Sequence, residues 1–152
     1  MLAIYVDADA CPVKDEVYRV AKRYAWRVFV VANSHMRVPT DPLVELVVRT
    51  GFGAADDWIA SVVGPGDITI TADIPLAARC VAAGGVVLDA KGRLLDAASV
   101  GQALAVRDLM EDLRQAGTIS GGGPAAMTPK DRSRFLSQLD TTINAIQRAN
   151  PT

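Results

Sequence analysis

The sequence predicts an α/β protein built on a mainly parallel sheet of about five strands, followed by helices at the C-terminal end. Short, nearly continuous apolar segments rich in β-branched residues alternate with segments whose apolar residues recur at helical spacing. Strands of that kind are typical of a sheet covered on both faces, and their alternation with helices favours parallel strands joined by right-handed crossovers. At 152 residues, the chain has the length of a single domain with its own core.

The α/β part is predicted from strand patterns and from the helices between them. The first strand covers residues 2–6 and the helix after it residues 13–24, with Pro12 at a position that suits the first helical turn. The later strands are expected at residues 27–32, 44–49, 67–71 and 86–88, and the later helices at 56–63 and 74–83.

A helical extension is expected over residues 99–148, roughly, beyond the last strand. Ser99 and Gln102 have the spacing of a capping box. The helix they open would end at Gly117, and it would bury Ala103, Val106, Met110 and Leu113. The glycine-rich segment 120–126 is loose enough for a mobile loop.

The final helix is predicted to start at Thr128 and Pro129. Its apolar positions keep the helical period to the end of the helix; they are Phe135, Leu139, Ile143 and Ile146. Such a face must be covered. Either the α/β core or a second subunit could cover it, so a homodimer is one of two arrangements.

Composition excludes several classes of protein. Half of the residues are hydrophobic and 22% are charged, which excludes a disordered chain. No apolar run reaches the ~18 residues of a membrane span, and no basic residue precedes the apolar opening, so neither a membrane partner nor a secretory signal is expected. Cys11 and Cys80 are the only cysteines, which is typical of a reduced cytoplasmic protein. With a net charge of −1, any phosphate-rich partner must be held by a local basic patch.

Aspartates dominate the acidic residues, with 14 Asp against 3 Glu. In an open parallel sheet, ligands bind beyond the carboxyl ends of the strands. The aspartates that follow strands or open the intervening helix are Asp7, Asp9, Asp56, Asp57, Asp73 and Asp89. Carboxylates that converge repel one another unless cations neutralise them, and Mg²⁺ and Mn²⁺ prefer oxygen ligands. The alternative for Asp56, Asp57 and Asp73 is the common role of aspartate at helix starts.

Other constellations are weaker. His35 is the only histidine, which excludes a histidine-rich metal site or a conventional triad. Cys11 is interpreted as a small packing residue. Basic and polar residues near the same edge of the sheet are candidate contacts to nucleic acid, with a solvated helix face as the alternative; they are Lys14, Asn33, Ser34, Arg37, Lys130 and Arg132.

Several segments together carry a resemblance to a known family. They are YVDADACPVK (5–14), VAN (31–33), ADD (55–57), TADIPLA (71–77), and the late GGP (122–124) followed by KDR (130–132). Over nearly the whole chain they resemble the bacterial YaiI/YqxD family, which implies a single PIN/NYN-like domain, a three-layer α/β sandwich of the nuclease type. In nucleases of that fold, acids hold one or two Mg²⁺ or Mn²⁺ ions that activate water against a phosphodiester. The resemblance implies the metal ligands Asp7, Asp56, Asp57, Asp73 and Asp89, and the catalytic carboxylates Asp7, Asp9, Asp57 and Asp73.

The function predicted from these residues is a Mg²⁺- or Mn²⁺-dependent nuclease that acts on nucleic acid, RNA before DNA. Two alternatives stay open. One is a non-catalytic RNA-binding or regulatory module that binds metal without turnover. The other is a phosphatase similar to the haloacid dehalogenases with Asp7 as its nucleophile, although Cys11 stands where those proteins have Thr or Val, and Asp67 would begin its strand rather than end it.

Overall fold

The sheet contains six strands in a computed structural model that describes residues 2–117 and 126–150. They are β1 (Ala3–Asp7), β2 (Arg27–Ala32), β3 (Val44–Val48), β4 (Ile68–Ile70), β5 (Val86–Leu88) and β6 (Leu94–Leu95). Their order is β3-β2-β1-β4-β5-β6. The first five are parallel and β6 is antiparallel to β5. The predicted α/β class with a mainly parallel sheet is confirmed, whereas β6 was not predicted because two residues after a tight turn are too few for a periodic pattern.

Five helices are present in the described residues: α1 (Lys14–Tyr24), α2 (Ala54–Val62), α3 (Ile74–Ala82), α4 (Ala97–Gln115) and α5 (Pro129–Ala149). A short 3₁₀ turn, Ala8–Ala10, lies between β1 and α1. Up to β5, every predicted element is present with bounds shifted by at most two residues. Local apolar periodicity therefore predicts this part of the fold well.

The helices cover the sheet on both faces, and each face has its own apolar core. Ile4 and Val6 of β1 point to the face covered by α1 and α5. Ala3 and Tyr5 point to the opposite face, where α2, α3 and the start of α4 pack. This alternation is the two-residue period of a β-strand, and it makes the protein a three-layer sandwich.

The last helix packs on the α/β core. Its predicted apolar face is buried, with Phe135, Leu139 and Ile143 fully inaccessible to solvent. Polar contacts also fasten α5 to α1, since the Asp140 carboxylate accepts hydrogen bonds from Arg23 and Tyr24. The core, and not a second subunit, therefore covers this face.

Helix α4 differs from its prediction in two ways. Its capping box is formed by Asp96 and Ser99, not by Ser99 and Gln102, so the helix starts earlier, at Ala97. Its apolar stripe is not buried, since Val106 and Met110 are 53% and 39% exposed and only Val100 is buried. Only the first turns of α4 pack on the core. Beyond them, no other described element covers the helix, and its apolar residues are therefore exposed.

Two further observations concern the whole chain. Most of the glycine-rich segment expected at 120–126 lies outside the described residues. In the described part, no helix is both long enough and apolar enough to span a membrane.

Candidate active site

A cleft of about 410 Å³ opens beyond the carboxyl ends of β1 and β4. The strand order places these two strands side by side although they are far apart in sequence. After β1 the next two strands in sequence, β2 and β3, lie on one side of it, whereas β4 and the strands that follow lie on the other side. The strand order therefore reverses between β1 and β4, and in open α/β sheets ligands usually bind at such a point. The polar side chains that line the cleft are Asp7, Asp9, Asn33, Asp56, Thr71 and Asp73.

A hydrogen-bond chain connects the ends of β1 and β4. The hydroxyl of Thr71 donates to Oδ2 of Asp7 at 2.8 Å, and the same hydroxyl accepts from the backbone N–H of Asp73 at 3.0 Å. Oδ1 of Asp73 then accepts from the N–H of Leu76 at 3.0 Å, which makes Asp73 the N-cap of α3. Asp73 is therefore both a helix cap and a cleft residue, and Thr71 positions the two carboxylates relative to each other.

Helix α2 brings a third carboxylate, Asp56, into the cleft. Consecutive helical residues point about 100° apart, and Asp57 consequently lies outside the cleft. It is exposed and forms an ion pair with Arg79 at 2.7 Å. Of the two adjacent aspartates predicted as ligands, the structure brings only Asp56 to the other acids.

The carboxylates in the cleft affect each other's protonation. Burial, the charges of Asp7 and Asp73, and a side-chain hydrogen bond with Asp73 together raise the pKa of Asp56 to about 6, against the opposing Arg79 guanidinium. Burial also raises the pKa of Asp7, although the hydrogen bond from Thr71 opposes this. Like charges held close together in a partly dry site favour a shared proton. A cation could replace that proton.

Asp9 lies at the rim of the cleft, where its side chain is exposed. Its Oδ1 accepts a long hydrogen bond, 3.4 Å, from the N–H of Asn33.

Asp89, predicted as a metal ligand, is not brought to the cleft. Its carboxylate is buried and accepts from the backbone N–H groups of Lys91 and Arg93, both at 2.9 Å, and from Nε of Arg93 at 2.7 Å. These contacts hold the turn between β5 and β6. Asp67 has a comparable structural role at the opposite edge of the sheet, where it accepts from the N–H groups of Ala3 and Gly64. The sequence feature that could have indicated this structural role is the position of Asp67, which follows Pro65 and Gly66 at the start of a strand.

The candidate nucleic-acid residues are spread over several positions. Only Asn33 lines the cleft, and no Lys or Arg does so among the described residues. Lys14 donates from Nζ to the carbonyl of Cys11 at 2.8 Å, and its charge opposes the rise in the pKa of Asp7 that burial causes. Arg132 donates to the carbonyl of Pro12 at 2.7 Å and so fastens α5 to the segment that precedes α1. Three others are exposed: Ser34, Arg37 and Lys130.

Cys11 lines the cleft but is buried, and burial raises the pKa of its thiol. It is therefore a packing residue rather than an activated thiolate.

The donor set suits a hard cation, because carboxylate and hydroxyl oxygens line the cleft and the single histidine does not. Within residues 2–117 and 126–150, no three His, Cys, Asp or Glu side chains lie close enough together to hold one ion. Mg²⁺ commonly takes one or two carboxylates and completes its shell with water and substrate phosphate oxygens. Asp56 and Asp73, with Asp7 nearby, fit that mode in donor chemistry.

Comparison with known proteins identifies the family. A family model described as "Uncharacterized BCR, YaiI/YqxD family" matches residues 5–145, a span that includes every cleft residue. The chain belongs to the YaiI/YqxD family. No solved structure matches it.

Relatives within the family are similar over almost their whole length. A UPF0178 protein of Rhodopseudomonas palustris strain HaA2 is 59% identical over 149 residues, which cover 97% of this chain and 90% of the relative. One from Bradyrhizobium sp. strain ORS 278 is 57% identical, with 97% and 90% covered. One from Gluconacetobacter diazotrophicus is 56% identical, with 94% and 93% covered.

Proposed function

We propose that this member of the YaiI/YqxD family is a Mg²⁺- or Mn²⁺-dependent nuclease that cleaves phosphodiester bonds, with RNA as the preferred substrate. The observation that carries the proposal is the convergence of Asp7, Asp56 and Asp73 in one cleft at the junction of β1 and β4. No basic side chain lines that cleft in the described residues. A cation would relieve the repulsion among the acids and attract a phosphate.

Each cleft residue has a role in this scheme. Asp56 and Asp73 would hold the ion directly and Asp7 would reach it through a water of its shell; the ion when bound activates water and stabilises the leaving oxygen. Thr71 orients Asp7, and the α3 cap orients Asp73. Asp9, exposed at the rim, would take a proton from the attacking water.

The phosphatase alternative receives less support. The acid that would serve as the late motif of a dehalogenase, Asp67, accepts from the N–H of Ala3 at the start of β1. It lies at the opposite edge of the sheet from the cleft. We therefore expect no Mg²⁺-dependent release of phosphate from aryl phosphates.

Cleavage of labelled single-stranded RNA and DNA tests the proposal. Wild-type protein should cleave in Mn²⁺ or Mg²⁺ and not in EDTA. Asp7→Asn, Asp56→Asn and Asp73→Asn should each lose most of this activity, because each removes an oxygen charge from the cleft.

Asp57→Asn is the matched control, since Asp57 neighbours Asp56 in sequence but pairs with Arg79 at the surface. It should keep its activity. Equal loss in Asp56→Asn and Asp57→Asn, or cleavage that persists in EDTA, would contradict the proposed site. Specific binding of Mn²⁺ and RNA without cleavage would favour the non-catalytic module.

A further inference from the structure

Phe52 is an aromatic residue with its whole side chain in solvent. It is 108% exposed relative to an extended reference, and the next most exposed large hydrophobic residue described is Leu109 at 56%. Such a ring adds nothing to either core. A single exposed hydrophobic residue is normal on a protein surface, so the exposure of Phe52 alone does not mark it as a binding residue. The informative feature is the position of the turn that carries it.

The turn that carries Phe52 is held firmly. Gly51 and Gly53 flank it with φ angles of 111° and 70°. The N–H of Ala54 donates to the carbonyl of Gly51 at 3.2 Å and closes the turn. Gly53, with φ 70° and ψ 3°, matches the third position of a type II turn, where the positive φ favours glycine. The backbone thus presents the Phe52 ring outward.

The same turn is attached to the wall of the cleft. In the orientation that satisfies its hydrogen bonds, the side-chain amide of Asn33 donates to the carbonyls of Arg49 at 2.9 Å and Gly51 at 3.1 Å. Asn33 lines the cleft. Helix α2 starts directly after the turn and carries Asp56 into the cleft. Phe52 therefore lies in a turn that contacts one cleft residue, Asn33, and directly precedes the helix that carries another, Asp56.

We infer that Phe52 is a stacking residue for an unpaired base of a single-stranded nucleic acid whose phosphodiester lies in the cleft. The inference rests on the proposed function and names the substrate class. Aromatic rings bind single strands by stacking on exposed bases, whereas the bases of a duplex are already stacked on each other. Arg49, exposed and placed over the ring of Trp58 at 5.4 Å, follows β3 on the same segment and adds a positive charge for the strand's backbone.

Binding of a short fluorescein-labelled single-stranded RNA tests this inference, measured by anisotropy in Ca²⁺ with Phe52 variants. Ca²⁺ takes the same oxygen ligands and keeps binding separate from cleavage. Phe52→Ala should weaken binding about 5- to 150-fold, the range for loss of one stacked base. Phe52→Tyr and Phe52→Trp should bind like the wild type, and Phe52→Leu like Phe52→Ala.

Two controls isolate the base. A strand of the same length with abasic sites keeps the phosphates but removes the rings, so wild type and Phe52→Ala should bind it equally. Leu109→Ala removes an exposed apolar side chain from α4 and should leave binding unchanged. Melting temperatures of all variants should equal that of the wild type, because Phe52 is not packed.

Several outcomes would overturn the inference. They are unchanged binding in Phe52→Ala, an equal loss on the abasic strand, no binding of any single strand by the wild type, or full binding by Phe52→Leu, which would show that an apolar contact and not aromatic stacking holds the strand. Metal-dependent cleavage with Phe52→Ala unaffected in binding would refute the inference and leave the proposed function intact. Phe52-dependent binding without cleavage in any metal would refute the nuclease and leave the inference standing.

Discussion

At the scale of single residues, identical side chains have different roles. Asp56 and Asp57 are adjacent, but one lies among the cleft acids and the other forms a surface ion pair. Asp73 and Asp89 both follow strands, yet the first faces the cleft and the second forms its hydrogen bonds within the turn between β5 and β6. What distinguishes these residues is the set of atoms around each carboxylate.

Asp56 should make the metal-free protein less stable as the pH rises. Its pKa in the folded state, about 6, lies above the ordinary value of 3.8, so the folded state binds the proton more tightly than the unfolded state. Linkage then makes this contribution to stability fall from about pH 4 to about pH 6 and stay low above that range. Asp56→Asn should therefore raise the melting temperature in EDTA at about pH 7.5 more than at about pH 5.

Asp57→Asn again serves as the control. It removes the same formal charge, but at an exposed ion pair of the kind that contributes little. If both variants show the same pH dependence, repulsion within the cleft is not its cause.

At the scale of elements, the first turns of α5 contact two segments that lead to the cleft. Arg132 fastens the helix to the carbonyl of Pro12, just before α1. On its other side, the turn between β5 and β6 reaches the α5 backbone through Gly92. The helix thus braces two segments that end at the candidate site.

Gly92→Ala should destabilise the protein by about 1–3 kcal/mol, because it forces a strained conformation and a close contact. Gly92 has φ +82°, and an added Cβ would come within 2.9 Å of the carbonyl oxygen of Arg134. Chemical denaturation measures the change.

Gly101→Ala is the opposite case. Gly101 lies inside α4, and a Cβ there would meet nothing within 4 Å. Because glycine is a poor helix former, this variant should gain about 0.5–1 kcal/mol. Unchanged or increased stability of Gly92→Ala would show that Gly92 does not approach α5 closely.

At the scale of the whole molecule, helices cover both faces of the sheet, and the candidate site lies at the edge formed by the carboxyl ends of the strands. The two apolar cores lie against the faces of the sheet, and the strand order concentrates acids where β1 and β4 end. With a net charge of −1, the protein as a whole does not attract a polyanion. A bound cation would make the electrostatic potential at the cleft more positive and would allow a phosphate to bind there.

Mn²⁺ should stabilise the wild type, by about 2.7 kcal/mol at a hundredfold excess over its dissociation constant. Asp7→Asn and Asp73→Asn should lose most of this gain, while their metal-free stability stays equal or rises because repulsion is relieved. Thermal melting with and without Mn²⁺ measures both effects.

Asp57→Asn and Asp89→Asn should keep the Mn²⁺ gain, because neither side chain reaches the cleft. Asp89→Asn should also lower the metal-free stability, since its carboxylate holds a turn. Retention of the full gain in Asp7→Asn and Asp73→Asn would remove these acids as ligands.

The sequence by itself determined the elements up to β5 and the position of acids at strand ends. Residues 27–32 and 86–88 were predicted with the bounds that the structure has, because apolar periodicity is a local property of the chain. Asp7 and Asp73 were placed at one edge of the sheet for the same reason, since parallel strands end together.

Only the tertiary structure decided which acids meet and which surfaces are covered. The rotation of α2 about its axis directs Asp56, and not Asp57, into the cleft. The carboxylate of Asp89 is held by hydrogen bonds in the turn after β5. Helix α5 is buried and most of α4 is not, although both have apolar stripes. Periodicity states that a face is apolar, whereas its burial depends on contacts between segments far apart in sequence.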